Sequence, residues 1–223
     1  IASKYGHIPV IEDGAQSFGA IYKGKKSCNT STLGCTSFFP SKPLGCYGDG
    51  GAIFTNSDEL ATICREIRVH GQSARYVHSR LGVAGRMDTI QCAVVLAKLE
   101  RFEWEISRRT DIGRRYNQFM DELEISRVWQ RPDRTSVFAQ YTVLVSNREA
   151  IQRELQLAEI PTSVHYPVAL NYQPAYYGRT ISVGSLPNAA RLAKVVLSIP
   201  MSADLTDEQQ SFIAETLKSA VAR

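Results

Sequence analysis

The sequence predicts an α/β protein, with a sheet-bearing first part, a helical stretch and a smaller α/β part. Three observations carry this reading. Ile8-Pro-Val-Ile-Glu-Asp13 has the apolar character of an interior strand and ends in two carboxylates, where α/β sheets bind ligands. Residues 36–39 and 51–55 read as two more strands around a loop rich in glycine and proline. From Met87 apolar residues recur at helical spacing as far as Leu123, and beyond it strand and helix patterns alternate again.

The elements follow in order. Val10 and Ile11 form a buried strand core. That strand arrives almost at the start of the chain, so a preceding segment is expected. Residues 18–26 form a hairpin with Lys23-Gly24-Lys25 at its turn. Asn56-Ser-Asp-Glu59 caps a helix that runs to about Val69 and stops at a glycine C-cap, His70-Gly71. Ile90, Val94, Val95, Lys98 and Leu99 line a second helix, which breaks near residues 100–103 and resumes through Ile106, Ile112, Tyr116 and Phe119. Its arginines, among them Arg101, Arg108, Arg109, Arg114 and Arg115, read as a solvated face with long stems. Residues 137–145 form a strand, and Asn147 caps a helix to about Ala158. Residues 160–167 are extended, 171–184 form a tyrosine-rich loop, 189–196 a helix and 197–200 a short strand. Thr206-Asp-Glu-Gln209 is a capping box for the last helix.

Composition narrows the function. A length of 223 residues suffices for a core, and 43% hydrophobic with 22% charged residues is ordinary for a globular protein. The net charge of +4 suits small anions such as phosphates better than nucleic acid, so no nucleic-acid partner is expected. No apolar run approaches the ~18 residues of a membrane span, and no signal peptide opens the chain. No membrane partner and a cytoplasmic location are therefore expected. Cys28, Cys35, Cys46, Cys64 and Cys92 are odd in number and lack Cys-x-x-Cys spacing, which argues against a disulfide framework or zinc site.

The chemistry concentrates at Lys42, between Pro40 and Pro43 in Ser37-Phe-Phe-Pro-Ser-Lys-Pro-Leu-Gly-Cys-Tyr-Gly-Asp-Gly-Gly51. The prolines hold Lys42 extended in a loop. A loop lysine is usually solvated surface. Apolar, glycine-rich surroundings and the carboxylate of Asp13 upstream favour the alternative, an amine held for Schiff-base chemistry. Such a lysine, a carboxylate and hydroxyl donors are the groups that pyridoxal phosphate needs. A phosphate-loop hydrolase is excluded, since Gly45–Gly51 lacks a Gly-Lys-Ser/Thr ending and precedes a strand. Tyr172, Tyr176 and Tyr177 read as packing at a domain edge.

Ile11-Glu-Asp-Gly-Ala-Gln-Ser17, Ser37-Phe-Phe-Pro-Ser-Lys42, Gly48-Asp-Gly-Gly51, Arg68-Val-His-Gly71, Gly82-Val-Ala-Gly-Arg-Met-Asp88, His165-Tyr-Pro167 and Leu197-Ser-Ile-Pro200 stand in one order. In that order they resemble the motifs of the DegT/DnrJ/EryC1/StrS sugar aminotransferases. The resemblance implies a pyridoxal-phosphate-dependent transferase of fold type I, like aspartate aminotransferase. Residues 1–106 would be the C-terminal portion of its large mixed-sheet domain and 107–223 its small C-terminal domain, with the family's N-terminal segment absent. It implies Lys42 as the lysine that anchors the cofactor, Asp13 as partner of its ring nitrogen, and Ala15 against the ring. Gln16 would meet the ring hydroxyl and Ser37 the phosphate. Lysine at position 42, where dehydratase relatives carry histidine, implies transamination. Arg86, His165 and Tyr166 would bind a carboxylate-bearing sugar, although an arginine pairing a nearby carboxylate and a histidine satisfying backbone remain open for the first two. Met87–Cys92 and Lys98–Trp104 resemble the transaminases of UDP-3-keto-N-acetylhexosaminuronic acids in O-antigen synthesis. Glutamate as amino donor and a homodimer with shared active sites are implied likewise. Ala84 stands where the family has an asparagine that reaches the partner subunit's phosphate, so that contact is missing from the side chain.

Overall fold

A computed structural model of the chain describes every residue except Tyr177, Ser182 and Arg223, so the expectation for Tyr177 lies outside the described residues. The chain divides into two compact units, Ile1–Ser107 with Gln130–Ala139, and Arg108–Trp129 with Gln140–Arg223.

The first unit is built on a three-stranded sheet. Its strands are β1 (Ile11–Asp13), β4 (Leu33–Ser37) and β5 (Gly51–Phe54), with β4 in the middle. β1 runs parallel to β4 with Asp13 beside Cys35, and β5 runs antiparallel with Gly51 beside Ser37. Between β1 and β4, β2 (Ile21–Tyr22) and β3 (Lys25–Lys26) make a hairpin. Lys23 and Gly24, with φ of 48° and 77°, supply the two left-handed residues that such a turn requires. α1 (Asp58–Ile67) is followed by the small ribbon β6 (Gln72–Ala74) and β7 (Val77–His78). α2 (Thr89–Leu99) then closes the unit with the start of α3 (Phe102–Glu122). Phe38, Leu44, Cys46, Val95 and Phe102 form the core, with Phe18, Met87, Val94 and Ile106 packed on it. Phe18 stacks on Phe54 and on Phe102, with centroids at 5.6 and 5.7 Å. Of these rings Phe102 is buried, and full burial of such a side chain contributes about 1.5–3 kcal/mol.

In the second unit β8 (Tyr141–Leu144) pairs antiparallel with β9 (Val196–Ile199), and α4 (Arg148–Leu157) and α6 (Asp207–Val221) pack together. α5 (Pro187–Val195) leads directly into β9. Ile112, Tyr116 and Met120, four residues apart on α3, are buried with Val143, Leu155, Leu197 and Leu217. The Tyr116 hydroxyl donates to Pro200 O at 3.0 Å, and burial raises it above the ordinary phenol range. Thr206 and Gln209 close the expected capping box at α6.

Several expectations need correction. Only Ile11–Asp13 is a strand, and it is an edge in this chain, with Val10 42% and Ile11 68% exposed. β4 begins and ends earlier than 36–39, spanning Leu33–Ser37, and the side chain of Phe38 just beyond it enters the core. Ser57, not Asn56, caps α1, accepting from Leu60 N at 3.3 Å. α1 gives way at Ile67, before the left-handed His70 and Gly71. Asn147 holds the cap position of α4 without a side-chain bond. The strand expected at 137–145 is confined to Tyr141–Leu144. Arg109 is not solvated: it is buried and donates to Met201 O, while Arg115 donates to Asp207 O and Ser211 Oγ. Tyr172 and Tyr176 are 61% and 41% exposed rather than packed.

Candidate active site

The pleat sorts the two carboxylates of β1. Successive side chains point to opposite faces, and Glu12 turns to the 27–30 segment, where it accepts from Ser27 Oγ, Cys28 N, Thr30 N and Thr30 Oγ1. Burial alone would raise its carboxyl, but these donors together hold it below the ordinary range. Asp13 takes the other face and, among the described residues, accepts only from Ala15 N, at 3.0 Å. That bond fixes the turn carrying Ala15 and the exposed Gln16, whose amide bonds to no described residue. Gly14 is required between them, because a Cβ there would meet Cys28 Sγ at 2.4 Å.

The registers place Ser37 on the same sheet face as Asp13, two residues beyond its neighbour Cys35. The Ser37 hydroxyl oxygen accepts from Phe39 N at 3.2 Å, which leaves its hydrogen for an outside acceptor. Lys42 then closes a turn, its N–H donating to Phe39 O at 2.9 Å, with Pro40 at the turn's second position. Lys42 as a residue is half-buried, and its ammonium has no partner among the described residues. Asp13, Ser37 and Lys42 are thus an open carboxylate, an open hydroxyl donor and an open amine at one end of one sheet.

The loop after Lys42 was not legible as machinery in the sequence. Leu44 and Cys46 turn into the core, while the backbone between and beyond them turns to α2. Lys98 Nζ donates to Gly45 O at 2.6 Å, and Gln91 Oε1 accepts from Tyr47 N at 2.8 Å. Gln91 and Lys98 stand seven apart, two turns on one helix face, and that spacing was the available signal.

Arg86 lies exposed after the segment 82–85, which is pinned to α1 by Val83 N to Ile67 O and Gly85 N to Arg68 O, both 2.8 Å. Ala84 joins this pinning through a bridge to Val69. Arg86 pairs no carboxylate among the described residues. With Arg65 and Arg68 it lines a cavity of about 930 Å³ that Lys42, Asp13, Gln16 and Ser37 do not line. In the second unit His165 Nδ1 meets the buried Ser198 Oγ at 2.9 Å, and Ser198 in turn meets Thr142 Oγ1, also at 2.9 Å, so the partner of the His165 ring is the Ser198 hydroxyl rather than backbone. Tyr166 is 64% exposed.

The mixed α/β frame is that of the pyridoxal-phosphate-dependent transferases of fold type I, as its structural neighbours show. A DegT DnrJ EryC1 StrS aminotransferase from Brucella abortus superposes with a TM-score of 0.94 at 36% identity, covering 100% of this chain and 59% of that one. A crystal structure of S. venezuelae DesV in complex with a ketimine intermediate does so with 0.94 at 33% identity, covering 100% and 60%. The model of the DegT/DnrJ/EryC1/StrS aminotransferase family matches residues 1–218, and the chain belongs to that family. A UDP-2-acetamido-2-deoxy-3-oxo-D-glucuronate aminotransferase of Pseudomonas aeruginosa is 56% identical over 201 residues, which is 90% of this chain and 55% of that protein. The chain thus spans about half the length of that relative.

Proposed function

We propose that this chain serves pyridoxal-phosphate-dependent transamination, in which glutamate gives its amino group to a UDP-3-keto-N-acetylhexosaminuronic acid for O-antigen or related polysaccharide synthesis. The observation that carries the reading is the open set Asp13, Ser37 and Lys42 on one sheet end. The 56% identity to an aminotransferase named for a UDP-3-oxo-glucuronate supports the sugar class. Further parts of the reading are a homodimer and a cytoplasmic location. Among the described residues no helix is long and apolar enough to cross a membrane.

The donor set fits the cofactor, matching its ring nitrogen, phosphate and aldehyde one for one. When bound, pyridoxal phosphate supplies an aldehyde for amine exchange and a ring that draws off electron density. Asp13 Oδ atoms would keep a proton on the ring nitrogen, Ala15 would flank the ring and Gln16 would donate to its hydroxyl. Ser37 Oγ would donate to phosphate. Lys42 Nζ, once released, would take a proton from the substrate carbon and return it to the next. Arg86, His165 and Tyr166 would orient the sugar, the guanidinium by a two-pronged bond to its carboxylate.

The test is the visible spectrum of the purified chain with pyridoxal phosphate, then borohydride reduction and mass mapping. Label on Lys42, and its loss in Lys42→Ala with the fold intact, is expected. Label spread over surface lysines, with none on Lys42, sinks the reading. A second reading, in which this chain folds or assembles without turnover, is favoured by the exposure of Ile11 and Ile53 on the sheet that carries Asp13. Lys42 labelling without transfer from glutamate would select it.

A further inference from the structure

The segment from Pro40 to Gly50 has no helix or strand of its own, yet Lys42 can work only if its backbone stays put. Gly45 is the contact point. A Cβ there would lie 2.7 Å from Pro40 O and 2.8 Å from Phe39 O, so the Gly45 backbone presses directly on the turn that ends in Lys42. The Gly45 carbonyl is gripped from the other side by Lys98 at 2.6 Å, a short charge-assisted bond. Lys98 is half-buried on a helix whose neighbouring face, Val94 and Val95, is committed to the core. It forms no ion pair with a carboxylate among the described residues, so its charge is spent on that carbonyl. Gln91, two turns earlier on α2, holds Tyr47 N in the same way. The chain of contact is continuous: α2 ammonium, Gly45 carbonyl, Phe39–Lys42 turn, Lys42 amine.

We propose that Lys98 is a positioning residue that sets the Lys42 amine by gripping the Gly45 carbonyl. The proposal rests on the reading of Lys42 given above. Removing the grip frees the Gly45 peptide, loosens the turn and spreads the amine over several orientations, of which few meet an incoming aldehyde. Lys98 touches neither substrate nor cofactor in this scheme.

The test uses the full 223-residue chain in three forms: unaltered, Lys98→Met, which keeps the stem and loses the donor, and Lys98→Arg, which restores one. Each is titrated with pyridoxal phosphate, reduced with borohydride and mapped by mass, and amide exchange of residues 39–47 is followed in parallel without the cofactor. Expected for Lys98→Met is a tenfold or greater rise in the concentration that half-labels Lys42, with unchanged labelling at Lys23 and Lys194. The amides of Lys42 and Cys46 exchange at least tenfold faster, the melting temperature changes little, and Lys98→Arg recovers most of the Lys42 label. Lys42 labelling and exchange both within twofold of the unaltered chain overturn the proposal and leave the reading of Lys42 standing. If the unaltered chain fails to label Lys42, that reading falls, and exchange alone decides the grip: tenfold faster supports it, within twofold overturns it. Should Lys98→Met not fold, Lys98→Gln, with a shorter reach, is judged by the same limits.

Discussion

Glu12 and Asp13 are one bond apart in sequence and opposite in use. Glu12 is consumed by four hydrogen bonds from the 27–30 segment, whereas Asp13 is left with one. The sequence announces two carboxylates at a strand end but not which is free; partners from Ser27 to Thr30, brought by the intervening hairpin, decide that. Because the folded Glu12 titrates below its unfolded value, its contribution is fully present above about pH 4.3 and is lost as pH falls through the lowered folded value. Glu12→Gln is therefore expected to cost about 1–2 kcal/mol at pH 7, the loss of charge-assisted hydrogen bonds. In urea melts the gap between variant and parent is expected to hold above about pH 4.3 and to narrow as pH falls through the lowered folded value. A gap that stays constant with pH refutes the assignment.

At the level of elements, patterns that depend on neighbours in sequence were legible, and patterns that depend on distant chain were not. The two-residue turn at Lys23-Gly24 and the Thr206–Gln209 box are local and appear where expected. Thr206→Ala removes one half of that box and is expected to lower stability by about 1 kcal/mol. Equal melting midpoints for variant and parent would deny the cap any role. The arginines of α3 were misread because nothing local says that Met201, Leu205 and Asp207 fold back beside Arg109, Arg108 and Arg115. Lys98 was counted among helix-face residues for the same reason, its carbonyl partner lying 53 residues away. The order Asp13, Ser37, Lys42 was readable because a strand end and its following turn are short-range features. That Asp13 and Ser37 share a sheet face required the register of β1 on β4.

Over the whole molecule, the strand that reads as interior is an edge. Ile8, Val10 and Ile11 are 57%, 42% and 68% exposed, and Ile53 on the opposite edge strand is 56% exposed. Among the described residues neither outer edge of the three-stranded sheet is paired. Unpaired edges with apolar side chains invite further strands. The 223-residue chain is accordingly expected to self-associate as concentration rises, and Ile11→Lys with Ile53→Lys to lower its mean mass in sedimentation. Concentration-independent monomer for the unaltered chain would contradict this.

Cys46 sits inside the grip that holds Lys42, its sulfur 2.9 Å from Phe38 O and 3.0 Å from Gly48 O and 1% exposed. A thiol there is out of reach of any alkylating reagent while the loop is closed. Its rate of capture therefore counts openings of the loop, and the protein carries, a few residues from Lys42, a chemical clock for how often the turn that ends there loses its place.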